Sequence, residues 1–189
     1  MTHKRLIKNN KRKQNNSFSI IAGKYRRLKF DFSGDISLRP TPNKVRETLF
    51  NWLGFDIVGK TVLDSFAGSG ALGFEAISRG AKNVVLLEKN PQTQILIKQN
   101  ILKLKDENIT IICDDFFKYN FKHTFDIILL DPPFNLDLID KSIDIIKNNI
   151  ANDNTLIYFE SEFELKNTQI QIIKQKKSAS VHYALGRIK

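Results

Sequence analysis

Between Thr61 and Leu130 the chain repeats short, almost wholly apolar runs separated by stretches with helical spacing, and each of the first four runs leads into an acidic residue. A run such as Phe125-Asp126-Ile127-Ile128-Leu129-Leu130 lacks the polar alternation of a half-exposed strand and needs cover on both faces. Runs of this kind alternating with helices build a parallel sheet from β-α-β units. The pattern predicts strands near 61–65, 83–88, 109–112, 125–130 and 154–159, with helices near 70–79, 91–104 and 137–149. Pro91 after Asn90 suits the first turn of a capped helix. Two further alternating segments, near 169–174 and 179–188, have no helix between them and form an antiparallel hairpin at the sheet edge. At 189 residues the chain can bury one core.

The region before this sheet differs in composition. Ten basic residues and no acid precede Asp31, while the remaining twenty bases balance all twenty acids, so the net charge of +10 resides at one end. Residues 1–16 lack periodicity and are expected as a flexible basic arm. Residues 17–34 are expected as a β-hairpin turning at Ala22-Gly23-Lys24, with Lys24, Arg26 and Arg27 at its tip and offered to a polyanion. A solubilising tail is the plainer alternative for such a block of like charge. Residues 35–189 make the main domain. Arg39-Pro40-Thr41-Pro42 forbids regular structure, and Asn43 is expected to cap a helix carrying Val45, Leu49, Trp52 and Leu53. One cysteine, Cys113, excludes an internal disulfide, and three dispersed histidines give no metal-ligand spacing. No run reaches membrane-spanning length and no signal peptide is evident, so a soluble, cytoplasmic protein is expected; a monomer without a metal is expected as well.

Asp64-Ser65-Phe66-Ala67-Gly68-Ser69-Gly70-Ala71-Leu72-Gly73 follows the first strand of the sheet and opens a helix. Glycines let such a loop approach a ligand closely beside the positive end of a helix. Glu88 ends the next strand, where it can accept from ribose hydroxyls, and Asp114-Asp115 ends the third, where a carboxylate can accept from an adenine amine. These features suit a dinucleotide or S-adenosylmethionine equally.

The fourth strand end separates them. Asp131-Pro132-Pro133-Phe134 leaves it directly. A ring amine is a poor nucleophile because its lone pair is delocalised, and acceptors on its protons make that pair available. Asp131 supplies one acceptor and the carbonyl of Pro132 another; the two prolines stiffen the loop, and Phe134 offers a stacking face for an extruded base. Methyl transfer from S-adenosylmethionine then needs alignment more than further chemistry.

The chain resembles the RsmD family of bacterial small-subunit ribosomal RNA guanine-N2 methyltransferases nearly end to end. The residues that carry the likeness are Ile20-Ile21-Ala22-Gly23-Lys24-Tyr25-Arg26, Leu38-Arg39-Pro40-Thr41, Val45 to Leu53, Phe66 to Gly73, the Asp131 tetrad, and Tyr158-Phe159-Glu160-Ser161-Glu162. The resemblance implies a Rossmann-like class I methyltransferase fold: an α/β domain with a mostly parallel seven-stranded sheet, an antiparallel edge strand and an N-terminal hairpin. It implies S-adenosylmethionine contacts at Arg39, Thr41, Asp64, Phe66, Ala67, Gly68, Gly70, Glu88, Asp115 and Phe116, and catalysis by Asp131, Pro132, Pro133 and Phe134. Its implied partner is 16S rRNA in the small ribosomal subunit or an assembly intermediate. Arg46, beside Glu47, is either a substrate contact or a surface charge paired locally. Competing functions are a DNA adenine-N6 methyltransferase, which lacks room here for a recognition domain; a protein-glutamine methyltransferase, which leaves the basic arm unexplained; an NAD-dependent oxidoreductase, which lacks a proton donor; and a non-catalytic assembly factor.

Overall fold

The computed structural model describes residues 16–32, 40–133, 136–162, 169–179 and 181–189. Residues 1–15 of the expected arm, residues 33–34 of the expected hairpin, Arg39 and Phe134 lie outside them. The hairpin is β1 (Asn16–Ser19) and β2 (Lys29–Phe32), antiparallel with Asn16 opposite Phe32. The sheet contains β3 (Thr61–Asp64), β4 (Asn83–Leu87), β5 (Ile109–Ile112), β6 (Ile127–Leu130), β7 (Leu156–Ser161), β8 (Ile170–Ser178) and β9 (Val181–Ile188), in the order β5-β4-β3-β6-β7-β9-β8. β3 to β7 are parallel, and the antiparallel strand is β9, second from the edge, with β8 outside it.

Alternate residues of each central strand serve two cores. Val62, Ile127, Leu129 and Tyr158 face a layer of α1 (Asn43–Leu53), α2 (Ala71–Ser78), α3 (Pro91–Leu104) and the hairpin, whereas Leu63, Ile128, Leu130 and Phe159 face α4 (Leu136–Ile145) and the π-helical turn after it. This two-sided burial is the reason for the unbroken apolar runs. Asn90 caps α3 by accepting from the backbone N–H groups of Gln92 and Thr93, with Pro91 in the first turn. The expected cap at Asn43 does not form: α1 begins at that residue, and its side chain instead accepts from Arg46 Nη2 at 2.6 Å.

All eight residues of α2 are buried, because the sheet covers one side and the hairpin the other. Phe30 stacks on Phe74 at 4.4 Å, and Phe18 packs beside both. The fully buried Glu75 carboxylate accepts from the backbone N–H groups of Ile21 and Ala22 and from Arg79 Nε at 2.8 Å, and faces Arg46 Nη1 at 3.8 Å. Arg46 is therefore not a substrate-facing residue. It is 0% exposed, donates to the Ser19 carbonyl and to Asn43, and lies over the Phe18 ring. Burial holds its guanidinium below its usual pKa, with Glu75 opposing. The hairpin turn docks on the end of α2: Ser78 accepts from the Lys24 and Tyr25 N–H groups and donates to the Ala22 carbonyl. Gly23 has φ +86°, and a Cβ there would lie 1.9 Å from the Ser78 carbonyl oxygen.

Two stability predictions arise from these contacts. Gly23→Ala should cost roughly 2–4 kcal/mol, because backbone obstructs the added methyl at a left-handed φ; the shift in urea midpoint reads it. Glu75→Ala should cost roughly 3–5 kcal/mol by leaving Arg46 buried without a counter-charge, and the Glu75→Leu, Arg46→Met pair should be less damaging than Glu75→Ala alone.

Candidate active site

Parallel register brings the strand ends to one edge. Asp64 closes β3, Glu88 follows β4, Asp115 follows β5, Asp131 follows β6, and Glu160 lies in β7 one residue beyond the Leu130–Phe159 pair. The strand order reverses between β3 and β6, and the crevice at such a point is where open α/β sheets hold ligands.

The glycine loop occupies the β3 side of this crevice and is braced from within. Ala67 N–H donates to the Leu87 carbonyl, Gly68 N–H to Glu88 Oε2 at 2.9 Å, Gly70 N–H to the Ala67 carbonyl, and Gly73 N–H to Asp64 Oδ2 at 3.0 Å. Gly68 and Gly70 take φ of +51° and +78°. A Cβ on Gly70 would meet Phe74 at 2.7 Å. Asp64 is only 2% exposed and points into the fold, so it shapes the loop from beneath. Desolvation pushes its carboxyl up to about 7, against the Gly73 N–H, with the Asp131 and Glu88 charges adding to the rise.

Glu88 accepts from Gly68 on one oxygen and from Asn90 N–H on the other at 2.8 Å. Each carboxylate oxygen keeps further acceptor capacity for ribose hydroxyls. Asp115 is half-buried and accepts from Phe117 N–H at 2.9 Å. Phe116 turns its ring into an aromatic cluster with Phe66, Phe117 and Phe121, at centroid distances of 5.2, 5.4 and 5.5 Å, and is 2% exposed. Its backbone is what it has left to offer a cofactor, whereas Phe66 is only half-buried. The positive-φ glycines and the row of carboxylates form a cradle that fits a cationic, hydroxyl-bearing adenosine derivative.

On the β6 side, Asp131 is half-buried, Pro132 buried and Pro133 exposed. Thr41 Oγ1 donates toward Asp131 Oδ2 at 3.5 Å, which joins the stretch before α1 to the tetrad. Desolvation raises the Asp131 carboxyl to about 6, and the Thr41 hydroxyl holds it back. Glu160 also belongs here, although its sequence segment carried no assigned role. It is 5% exposed, accepts from the Tyr158 hydroxyl at 2.7 Å, and is pushed up to about 8 by desolvation first and the Asp131 charge second. The signal for it was the one that pointed to Glu88 and Asp131: an acid closing a buried strand. Ser65, beside Asp64, holds a buried hydroxyl with no hydrogen-bond partner among the described residues.

The basic tip of the hairpin is not brought to this edge. Lys24, Arg26 and Arg27 are exposed, but the turn sits on Ser78 at the far end of α2, and Lys24 lies 3.6 Å from Asp106. Eight helical residues, about 12 Å, separate that end from the glycine loop. The edge strand instead carries a cation in register with the Asp131 strand end, three strands away. Lys176, exposed on β8, is the register partner of Tyr183, which is the partner of Glu160. Lys176, Tyr183, Glu160 and Asp131 thus form one row across four strands. From 169 to 189 the sequence holds five basic residues and no acid.

A family model described as conserved hypothetical protein 95 matches residues 18–187. Ribosomal RNA small subunit methyltransferase D of Haemophilus influenzae is 40% identical over 177 residues, covering 88% of this chain and 91% of that protein. The protein of the same name from Buchnera aphidicola subsp. Baizongia pistaciae is 38% identical over 182 residues, covering 89% and 91%. A solved Escherichia coli structure superposes with a TM-score of 0.84 at 34% identity, covering 92% of this chain and 99% of that one. The matched span takes in the hairpin, the glycine loop and the Asp131 strand end alike, and the chain belongs to the RsmD family of methyltransferases.

Proposed function

We propose that this protein transfers the methyl group of S-adenosylmethionine to the exocyclic N2 of a guanine in 16S rRNA, acting in the cytoplasm as a monomer on the small ribosomal subunit or its assembly intermediate. The observation that carries the proposal is the Asp131 carboxylate, held by Thr41 at the switch-point edge beside the glycine cradle and followed by two prolines. The names of the relatives supply the ribosomal substrate.

When bound, S-adenosylmethionine supplies a methyl group activated by the sulfonium charge. Glu88 and Asp115 would hold its ribose and adenine, with Gly68 and Gly70 giving close backbone approach and Arg39 and Thr41 near its methionine end. Ionised Asp131 can only accept, which suits guanine, whose adjacent N1–H and N2–H both donate; adenine offers one donor and one acceptor. Asp131 and the Pro132 carbonyl hold the amine hydrogens so that the nitrogen lone pair points at the methyl. Asp131 would also take up the proton that the amine must lose when it is methylated. Phe134 is assigned the stacking face. Lys176 and Lys177 would hold RNA phosphates beside the site, while Lys24, Arg26 and Arg27 serve a more distant part of a large substrate.

Transfer of labelled methyl to small subunits, with nucleoside analysis, tests the assignment: N2-methylguanosine is expected, and labelled adenine would refute it. Asp131→Ala should lower kcat at least about 100-fold while S-adenosylmethionine binding changes little. In the wild type kcat/KM should rise with pH through about 6 as Asp131 loses its proton. Reversing charge at Lys176 and Lys177 together should raise KM for the RNA and flatten its dependence on salt by roughly one to two log-log units.

A further inference from the structure

Glu160 has no task in holding the amine, yet it is enclosed beside the residue that does. From β7 the Tyr158 hydroxyl donates to Glu160 Oε1 at 2.7 Å. From β9, Tyr183 is the register partner of Glu160, and its buried hydroxyl has no hydrogen-bond partner among the described residues. From β6, Asp131 follows the residue paired with Phe159 and so lies beside Glu160 on the same face. From the stretch before α1 comes Thr41, 9% exposed, its hydroxyl directed at Asp131 at 3.5 Å and also within hydrogen-bonding reach of the Glu160 carboxyl. Lys176 stands one strand beyond Tyr183 and is exposed.

A second buried negative charge next to Asp131 is costly and would leave Thr41, with a single proton, between two acceptors. One arrangement satisfies every group. If Glu160 carries a proton, Tyr158 donates to its carbonyl oxygen, its own O–H donates to Thr41 Oγ1, and the Thr41 O–H donates to Asp131 Oδ2. The donors then run in one direction and end on the catalytic carboxylate. Asp131 Oδ1 is left for the substrate amine.

We propose that Glu160 is a positioning residue: a neutral carboxyl that, through the Thr41 hydroxyl, fixes Asp131 in the orientation that accepts the amine. The proposal rests on the role given to Asp131 above. Desolvation and the neighbouring charge support it, since they put Glu160 at about 8 and Asp131 at about 6, so that near neutrality the proton resides on Glu160 and the charge on Asp131.

The test measures methyl transfer to small subunits from about pH 6 to 9 for the wild type, Glu160→Gln, Glu160→Leu, Thr41→Val and the Glu160→Leu, Thr41→Val double variant. S-adenosylmethionine binding and melting temperature are followed for each. Glutamine can donate to Thr41 as a neutral carboxyl does, so Glu160→Gln should keep the rate within about threefold near neutrality and abolish the decline that the wild type shows above about pH 8. Glu160→Leu and Thr41→Val should each lower kcat by about 10–100-fold with cofactor binding retained, and the double variant should be no slower than the worse single one. Multiplying losses in the double variant, a wild-type alkaline limb that persists in Glu160→Gln, or a folded Glu160→Gln as slow as Glu160→Leu would each overturn the proposal. Infrared difference spectra between neutral and alkaline pH give a second readout independent of RNA. The wild type should lose a protonated-carboxyl band that Glu160→Gln lacks, and identical spectra would refute a protonated Glu160 even if the leucine variant failed to fold. A wild type that transfers no methyl to ribosomal RNA would defeat the assigned substrate while leaving the infrared test standing.

Discussion

The fully buried carboxylate of Glu75 is the constraint on which the rest of the molecule depends. It sits in the helix that opens from the glycine loop, and it accepts from two backbone N–H groups of the hairpin while facing two arginines. Without it the hairpin would be an appendage. With it, Phe18 and Phe30 become part of the core against Phe74. Arg46 carries the constraint into α1, since the same guanidinium binds the Ser19 carbonyl and the Asn43 side chain. The start of α1 is thereby set, and with it Thr41, two residues upstream of Asn43, at the hydrogen-bonding limit from Asp131. A buried ion pair is weak evidence for added stability, because desolvation offsets much of its attraction. Here its geometric consequence is the larger one: the glycine loop and the Thr41 hydroxyl beside Asp131 are referred to a common point.

Five carboxylates at one sheet edge could have repelled one another into uselessness. Their environments separate them. Asp64 is buried against a single N–H and pushed toward the neutral form, which suits a residue that braces the loop. Glu88 receives two backbone N–H groups, one on each oxygen. Asp131 is half-exposed and rises less than Glu160, which is enclosed and feels the Asp131 charge. The same side-chain chemistry is thus set apart by burial and by the number of donors each receives.

How much of this could be read from the sequence depended on whether the cause was local. α3 was legible to the residue, because Asn90 and Pro91 signal its start and its face is periodic. The central strands were legible because two-sided burial writes itself as continuous apolar runs. The glycine loop and the Asp131 turn stood out because their spacing is local. Arg46 was misread as either a substrate contact or a surface charge, since nothing within its own helix shows that a hairpin and a distant glutamate enclose it. The placing of β9 inside β8 is likewise a matter of long-range pairing. Glu160 was visible as an acid closing a strand, but its importance comes from Asp131 on the neighbouring strand and Thr41 more than a hundred residues earlier.

The position of the hairpin turn bears on the kind of RNA that such a site would serve. The most obvious cations in the sequence, those before Asp31, include a cluster that the fold places at the end of α2 away from the crevice, whereas Lys176 of β8 lies in the register row that leads through Tyr183 and Glu160 to Asp131. Positive charge therefore lies on two separate parts of the molecule, the hairpin turn at the end of α2 and the edge strand β8. A short single strand threaded through the crevice would meet only the β8 side. Engaging both calls for a substrate whose phosphates are held far apart by its own folded structure, and no recognition domain is needed if that structure presents the target base already accessible. Selectivity would then arise from simultaneous fit at two separated cationic regions, each weak alone, with the Asp131 acceptor adding the final discrimination at the amine.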